Sequence, residues 1–393
     1  MTSLDPKVRL AVVGCGARAT IAAHAIASGR AVIAAYVDPV PAASARLAER
    51  LDAPAPQFAS VTDLLASDTP VDAALVLSPD DTHAAVATAL LDHHVAVYLE
   101  KPITISTADA DAVLTAAARS NTPLYVGHNM RHMSVVRTMH AIIARGEIGT
   151  VKAIWCRHFV GNGGDFYFKD WHADRSRSHG LLLQKGAHDI DVIHHLAGGY
   201  TTRVVGMGAL TLYGDIDHRR DNSDRSMPEW FDMTNWPPGS QRDLNPVIDV
   251  EDLSMVQLQL DNGVFASYQQ CHYTPDYWRN YTVIGTEGRL ENFGDSAGGL
   301  IKVWNRRHTY QAEGDREYPI GGDEAGHADA DLETMTEFLD FLAHGGSTVT
   351  SPVAARHAVA TAVAATASLR DGSTPREVPP VPSEIAAHFS AGR

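Results

Sequence analysis

Val8-Arg9-Leu10-Ala11-Val12-Val13-Gly14-Cys15-Gly16-Ala17-Arg18-Ala19 decides how this chain is read. The unbroken apolar run Val8–Val13 predicts a buried strand. The Ala-rich run from Ala17 to Ser28, stopped by Gly29, predicts a helix. Between them lies a GxGxxA turn. Gly14 permits the tight turn, Gly16 lets the backbone approach a pyrophosphate, and Ala19 allows helix and strand to pack closely. The helix start at Ala17 turns unpaired N–H groups toward an anion. A second buried strand, Ala31–Val37, ends at Asp38, about 20 residues past the turn. A carboxylate there accepts both ribose hydroxyls and repels a 2′-phosphate, so NAD rather than NADP is the expected cofactor. Arg18 softens that discrimination if it approaches a phosphate. The plainer alternatives are a flexible turn at Gly14–Gly16 and a turn-capping Asp before Pro39.

Outward from this stretch the alternation continues. Helices are expected over Pro41–Leu51, Asp81 to His93 and Thr107–Arg119, and strands over Val71–Leu77, Val95–Leu99 and Leu124–Val126. Continuous apolar strands separated by helices imply a parallel sheet covered on both faces. The expected fold is therefore α/β, with an N-terminal Rossmann domain over 1–127. After Thr150 the pattern changes. Val151–Phe159, Arg203–Leu210, Leu253–Leu260 and Val264–His272 read as longer strands of alternating polarity, two of them joined by the Asp261-Asn262-Gly263 turn. Tyr281–Ile284 and Gly299–Trp304 add further strands. This predicts an α+β domain over 128–393, with an open, largely antiparallel sheet, for substrate binding and oligomerisation. Helical patterns return at Asp331–Ala343 and Ala354–Leu369, and a C-terminal helix packing back on the first domain fits the pattern. Residues 211–247 form a charged insertion with Trp and Pro and no clear period, the kind of stretch that is functional or disordered.

The 393 residues suit two domains, and 45% hydrophobic with 20% charged is an ordinary globular composition. A net charge of -15 argues against a nucleic-acid or anionic-membrane partner. Cys15, Cys156 and Cys271 show no pairing pattern or zinc spacing, and no metal is expected. No stretch has the apolar core of a leader or a span, so a cytoplasmic protein is expected.

Four further segments carry a family resemblance: Ser78-Pro79-Asp80-Asp81-Thr82-His83, Glu100-Lys101-Pro102, Gly127-His128-Asn129-Met130-Arg131 and His188-Asp189-Ile190-Asp191. With Gly14–Ala19, and in this order, they resemble the glucose–fructose oxidoreductase, inositol dehydrogenase and MocA (Gfo/Idh/MocA) family. The resemblance implies cofactor contacts from Ser78, Pro79, His83, Glu100, Lys101 and Asn129. It places Lys101 beside the nicotinamide and the reacting hydroxyl. A partly desolvated lysine there has a lowered pKa and helps proton transfer. The family often has an Asp four residues before the His, on the same helix face. This chain has Gln184, which cannot ionise, followed by Lys185. His188, with Lys101 and Lys185, is therefore the expected acid–base group.

Arg157, His158, Lys169, Trp171, His172, Arg175, Arg177 and His179 crowd one stretch of an acidic chain. Arginine reads carboxylate, phosphate or sulfonate bidentately and Trp171 stacks on a sugar face. The plain alternative is a solvated loop or subunit contact. Arg131, Trp171, His172, Arg175, Arg177, Gln184, Lys185 and His327 are the expected substrate contacts, with Tyr273 and Tyr277 as further candidates. The leading expectation is an NAD-dependent dehydrogenase of a sugar, sugar acid or cyclitol. A redox-neutral, NAD-dependent glycosidase with tightly bound cofactor, acting on an anionic glycoside such as a sulfoquinovoside, is the alternative. A non-catalytic NAD-binding sensor is the third reading. Family members associate through the outer face of the C-terminal sheet, which implies a homodimer or homotetramer.

Overall fold

The computed structural model describes residues 7–322 and 328–390. The chain divides into two compact units. Unit 1 comprises Met1–Asn129, Asp331–Arg356 and Val381–Arg393; unit 2 comprises Met130–Ala330 and His357–Pro380.

In unit 1 the described residues form a six-stranded sheet. Its strands are β1 (Val8–Val13), β2 (Ala31–Val37), β3 (Gln57–Phe58), β4 (Ala73–Val76), β5 (Ala96–Leu99) and β6 (Leu124–Val126). Their order is β3-β2-β1-β4-β5-β6 and every pairing is parallel. Parallel pairing demands crossovers, and the helical segments Ala17–Ile21 with Ala22–Ala27, Pro41–Leu51, Val61–Leu65, His83–Asp92 and Thr107–Ser120 lie in them. The order reverses between β1 and β4, so the ends of those two strands flank the position where open α/β sheets bind ligands. Leu10, Val12, Leu75, Tyr98 and Tyr125 are buried in one core with Phe338 and Leu339 of the helix Ala328–His344. Thus part of that late helix belongs to the first unit's core.

In unit 2 the described residues form a nine-stranded sheet of order β14-β13-β12-β11-β7-β10-β9-β8-β15. The strands are β7 (Val151–Val160), β8 (Thr201–Ala209), β9 (Leu253–Leu260), β10 (Phe265–Cys271), β11 (Tyr277–Gly285), β12 (Arg289–Phe293), β13 (Leu300–Trp304), β14 (Arg316–Pro319) and β15 (Arg376–Glu377). All pairings are antiparallel except β7 with β10. The helix Gly186–Ala197 packs on the inner face through Ile193 and Leu196, over Ile154, Ala266, Leu258 and Val283. The outer face exposes Trp155, Met207, Met255 and Phe265.

The 211–247 insertion is folded and fastened. Asp252 accepts the backbone N–H groups of Thr211, Leu212 and Tyr213 at 2.7, 2.8 and 3.0 Å. Buried Asp165 accepts Lys169 Nζ at 2.8 Å, Asn235 Nδ2 at 3.0 Å and Gln241 Nε2 at 2.9 Å, while its carbonyl accepts Trp230 Nε1 at 2.8 Å.

Candidate functional site

The nucleotide turn of unit 1 is built as its residue types require. Gly14 has φ +86°, and a Cβ there would sit 2.5 Å from the Ser78 backbone nitrogen. Only glycine fits a turn wedged that tightly against the end of β4. Gly16 is exposed, and a Cβ on it would meet nothing within 4 Å. The backbone therefore borders open space at the position where a pyrophosphate would lie, and Ala17 opens the short helix Ala17–Ile21 beside it. Asp38 Oδ2 accepts the Cys15 N–H at 2.8 Å and Oδ1 accepts the Val40 N–H at 2.8 Å. The carboxylate is thereby fixed at the turn, with lone pairs left for two hydroxyls. These residues fit a dinucleotide.

The Lys101 loop is tied into the same assembly. Arg18 Nε donates to Glu100, and its two terminal nitrogens hold Asp331 at 2.5 and 2.9 Å. Asn129 Nδ2 donates to Asp331 at 2.7 Å, and Glu100 Oε2 accepts the Lys101 N–H at 2.9 Å. Arg18 is thus engaged by two carboxylates, and Asn129 by one. His83 is buried, with Nδ1 2.8 Å from the Pro102 carbonyl and Nε2 2.9 Å from the Ser78 carbonyl. Burial holds it below its ordinary pKa despite those bonds. His83 therefore braces the Ser78-Pro79 loop against the Lys101-Pro102 turn. The Lys101–Pro102 peptide is cis, and Lys101 is half-exposed.

In unit 2 the inner face of the sheet changes character along its strands. Ile154, Val283 and Ala266 share one row; Cys156, Tyr281 and Tyr268 the next; His158, Arg279 and Gln270 the one after. Asp189 of the overlying helix is fully buried at the centre of these polar rows. It accepts His158 Nδ1 at 2.9 Å, Tyr268 OH at 3.0 Å and Tyr281 OH at 2.5 Å, and pairs with Arg279 Nε at 3.1 Å. Burial opposes its charge, but His158 and Arg279 hold the carboxyl well below the usual range. Burial and the charge of Arg279 push His158 down to about 3, so the imidazole is neutral with Nδ1–H on Asp189. His272 lies fully buried nearby and is likewise held well below its ordinary pKa by burial, His158 and Lys185.

Lys185 joins the segment Leu181–Gln184 to the helix Gly186–Ala197, and Gln184, Lys185 and His188 are all buried. The Lys185 ammonium lies 5.8 Å from the Tyr167 ring centre and 5.6 Å from that of Tyr277. Tyr167 meets His172 edge-on at 5.4 Å, His172 stacks on Trp171 at 3.8 Å, and Arg177 lies 5.8 Å over Trp171. Trp171, His172, Arg177 and Lys185 thus form one aromatic and cationic patch. Several expected cations are engaged internally. Arg131 grips Asp191 with two 2.7 Å bonds, Arg175 binds Asp249, and Lys169 binds Asp165. These pairs shrink the anion-reading set expected from sequence. His327 lies outside the described residues. Sequence reasoning passed over Arg279 and His272, whose importance comes from partners distant in the chain. No group of three or more metal-ligating side chains occurs among the described residues.

Comparison with known proteins places this geometry. Residues 8–128 match the model of an oxidoreductase family with an NAD-binding Rossmann fold, and residues 136–291 match the GFO/IDH/MocA C-terminal domain. The putative oxidoreductase YteT of Bacillus subtilis is 27% identical over 56% of this chain and 60% of its own length. The myo-inositol dehydrogenase Hyg17 of Streptomyces leeuwenhoekii is 30% identical over 53% of this chain and 63% of its own. The chain thus spans about 60% of the length of the curated relatives it matches. In fold, a levoglucosan dehydrogenase solved with NADH and levoglucosan superposes with TM-score 0.77 over 95% of this chain and 100% of that one, at 17% identity. With both family domains matched in order, this chain belongs to the Gfo/Idh/MocA oxidoreductase family.

Proposed function

We propose that the protein is an NAD-dependent oxidoreductase acting on a hydroxyl-bearing carbon of a sugar, sugar acid or cyclitol. The observation that carries this reading is that the Lys101 loop and the dinucleotide turn are one braced assembly. Gly14 sits against Ser78, Arg18 holds Glu100, and His83 bridges the Ser78 and Pro102 carbonyls. When bound, NAD supplies the two-electron acceptor for the carbon-bound hydrogen. Gly14, Gly16 and Ala17 hold its phosphates and Asp38 its ribose. Lys101 orients the reacting hydroxyl, His188 and Lys185 complete the acid–base set around it, and Trp171 with His172 offers a stacking face to a sugar ring. The myo-inositol dehydrogenase relative supports the substrate class. The test is NAD binding together with a polyol and sugar screen read by nicotinamide absorbance. Lys101→Met is expected to keep NAD affinity while lowering kcat by about 10²–10⁴. Loss of NAD binding, or unchanged kcat, would count against the reading.

A redox-neutral glycosidase with retained NAD is the second reading. Two observations favour it: the neutral Gln184 where a relay carboxylate is common, and a 25% identical relative named 2,7-anhydro-N-acetylneuraminate hydratase, from Mediterraneibacter gnavus. An anionic glycoside such as a sulfoquinovoside would meet the aromatic and cationic patch of Trp171, His172, Arg177 and Lys185. A homodimer or homotetramer is proposed through the outer sheet face, where Trp155, Met207, Met255 and Phe265 stand exposed. No described helix is long and apolar enough to cross a membrane.

A further inference from the structure

We propose that Tyr277, with Lys185 as its charge partner, carries the proton of the substrate hydroxyl in unit 2. This deepens the dehydrogenase reading and rests on it. Tyr277 opens β11 and continues the polar rows of the inner sheet face, two residues before Arg279 and opposite Val160. The side chains around it are deeply buried, but Tyr277 keeps 36% of its surface exposed. It is the point where the buried network reaches outward. Lys185, 5% exposed, stands 5.6 Å from its ring centre.

The charged and titratable groups facing Tyr277 come from every element packed on it. Arg279 lies on its own strand, with its guanidinium 5.9 Å from the ring centre. His158 of β7 meets the ring edge-on at 5.7 Å. Tyr167 of the segment Gly163–Tyr167 shares Lys185. Asp189 stands behind Arg279, Asp295 lies 3.6 Å from Arg279 Nη1, and His272 follows β10. The two histidines are held neutral, and Asp189 is consumed by four partners. The field at the phenol is therefore set by two cations. Burial raises its pKa, but the charge of Lys185, the charge of Arg279 and a hydrogen bond with Lys185 outweigh burial and bring it below the ordinary value. Tyr167 shares Lys185 at nearly the same distance but is only 9% exposed, so Tyr277 is the phenol of the pair that opens outward. A tyrosinate held by an ammonium is a competent base at a position where Gln184 offers none.

In the oxidative direction the substrate O–H bond breaks and its proton passes to the Tyr277 oxygen. The O–H bonding pair becomes the second bond of the new carbonyl. The hydrogen on the same carbon leaves with its electron pair to the NAD of the proposed reaction. In the reverse direction Tyr277 returns the proton to the alkoxide.

The test is a spectrophotometric titration of phenolate in the full protein without substrate, set beside the pH profile of kcat/KM. Wild type is expected to show one phenol ionising below the ordinary tyrosine value of about 10. Tyr277→Phe removes that transition, Lys185→Met moves it upward, and Tyr167→Phe leaves one low phenol in place. Tyr277→Phe is expected to lower kcat by about 10²–10⁴ and to abolish the limb of the profile that Lys185→Met shifts to higher pH. If the low transition survives Tyr277→Phe, or kcat is unchanged in it, the proposal is overturned. The optical titration needs no turnover. A protein that keeps the Tyr277 transition but oxidises no carbohydrate refutes the dehydrogenase reading and not the ionisation.

Discussion

The dinucleotide turn of unit 1 and the Asp189 hub of unit 2 are both charge networks, but they are built on different terms. At the turn, Arg18 keeps 30% of its side chain exposed, Glu100 11% and Asp331 14%. At the hub, His158 and Asp189 have none exposed and Arg279 only 2%. Water and main-chain geometry support the first, so a lost side chain there is partly replaced by solvent. The second excludes water, so each charge depends on every partner being present. The first network can tolerate a cofactor arriving and leaving. The second is a fixed floor that sets the ionisation of whatever stands at its edge.

The sharpest way to break this comparison is to remove one member of each network. Asp189→Ala leaves Arg279 and His158 buried without their carboxylate and is expected to cost about 3–5 kcal/mol in urea unfolding. A loss below about 1 kcal/mol would show that the hub is not closed to water. Asp38→Ala should cost only about 1–2 kcal/mol, the worth of its bonds to the Cys15 and Val40 N–H groups. It should weaken NAD by about 10–100-fold, the worth of hydrogen bonds to a charged group, and narrow the preference over NADP, as measured by calorimetry. Equal loss for both nucleotides would remove Asp38 from the ribose.

A gentler probe is acid. His158 and His194 are pushed down to about 3 and His195 to about 4, in each case chiefly by burial. Below about 6.5 the unfolded chain binds protons that the fold refuses, so stability falls as pH falls from there toward the folded values. Each fully buried histidine contributes about 1.4 kcal/mol per pH unit over that window. The depressed Asp189 adds to the loss at still lower pH, as the fold surrenders its carboxylate. Hydrogen exchange at pH values on either side of about 6.5 should therefore show unit 2 losing protection ahead of unit 1. The opposite order would contradict the assignment of neutral histidines.

The same contrast explains what the sequence disclosed. Val8–Val13, Gly14, Gly16 and Asp38 act through neighbours and fixed offsets, so the turn, its strand and its parallel sheet were legible from local pattern. Phe338 shows only a helical period in its own segment, and it packs in the core of unit 1. β11 was expected to begin at Tyr281 and begins at Tyr277, because Trp278, Arg279 and Asn280 look like loop residues. The sheet accepts them because Asp189, far away in sequence, pairs with Arg279, and the Asn292 carbonyl of β12 accepts Asn280 Nδ2. The 211–247 insertion lacks periodicity for a related reason. Asn222 donates to the Lys169 and Asp243 carbonyls at 2.9 and 2.8 Å, while Asn235 and Gln241 hang on Asp165. A segment ordered by side-chain bonds to remote partners has no period to read.

The central claim is tested most directly by incubating the purified protein with NAD and matched pairs of free sugars or polyols and their aryl glycosides, following nicotinamide absorbance and aglycone release together. The account predicts NADH formed one-for-one with oxidised free sugar or polyol, and none with Lys101→Met. Aglycone release with no net NADH, or NAD bound with neither product formed, would contradict it.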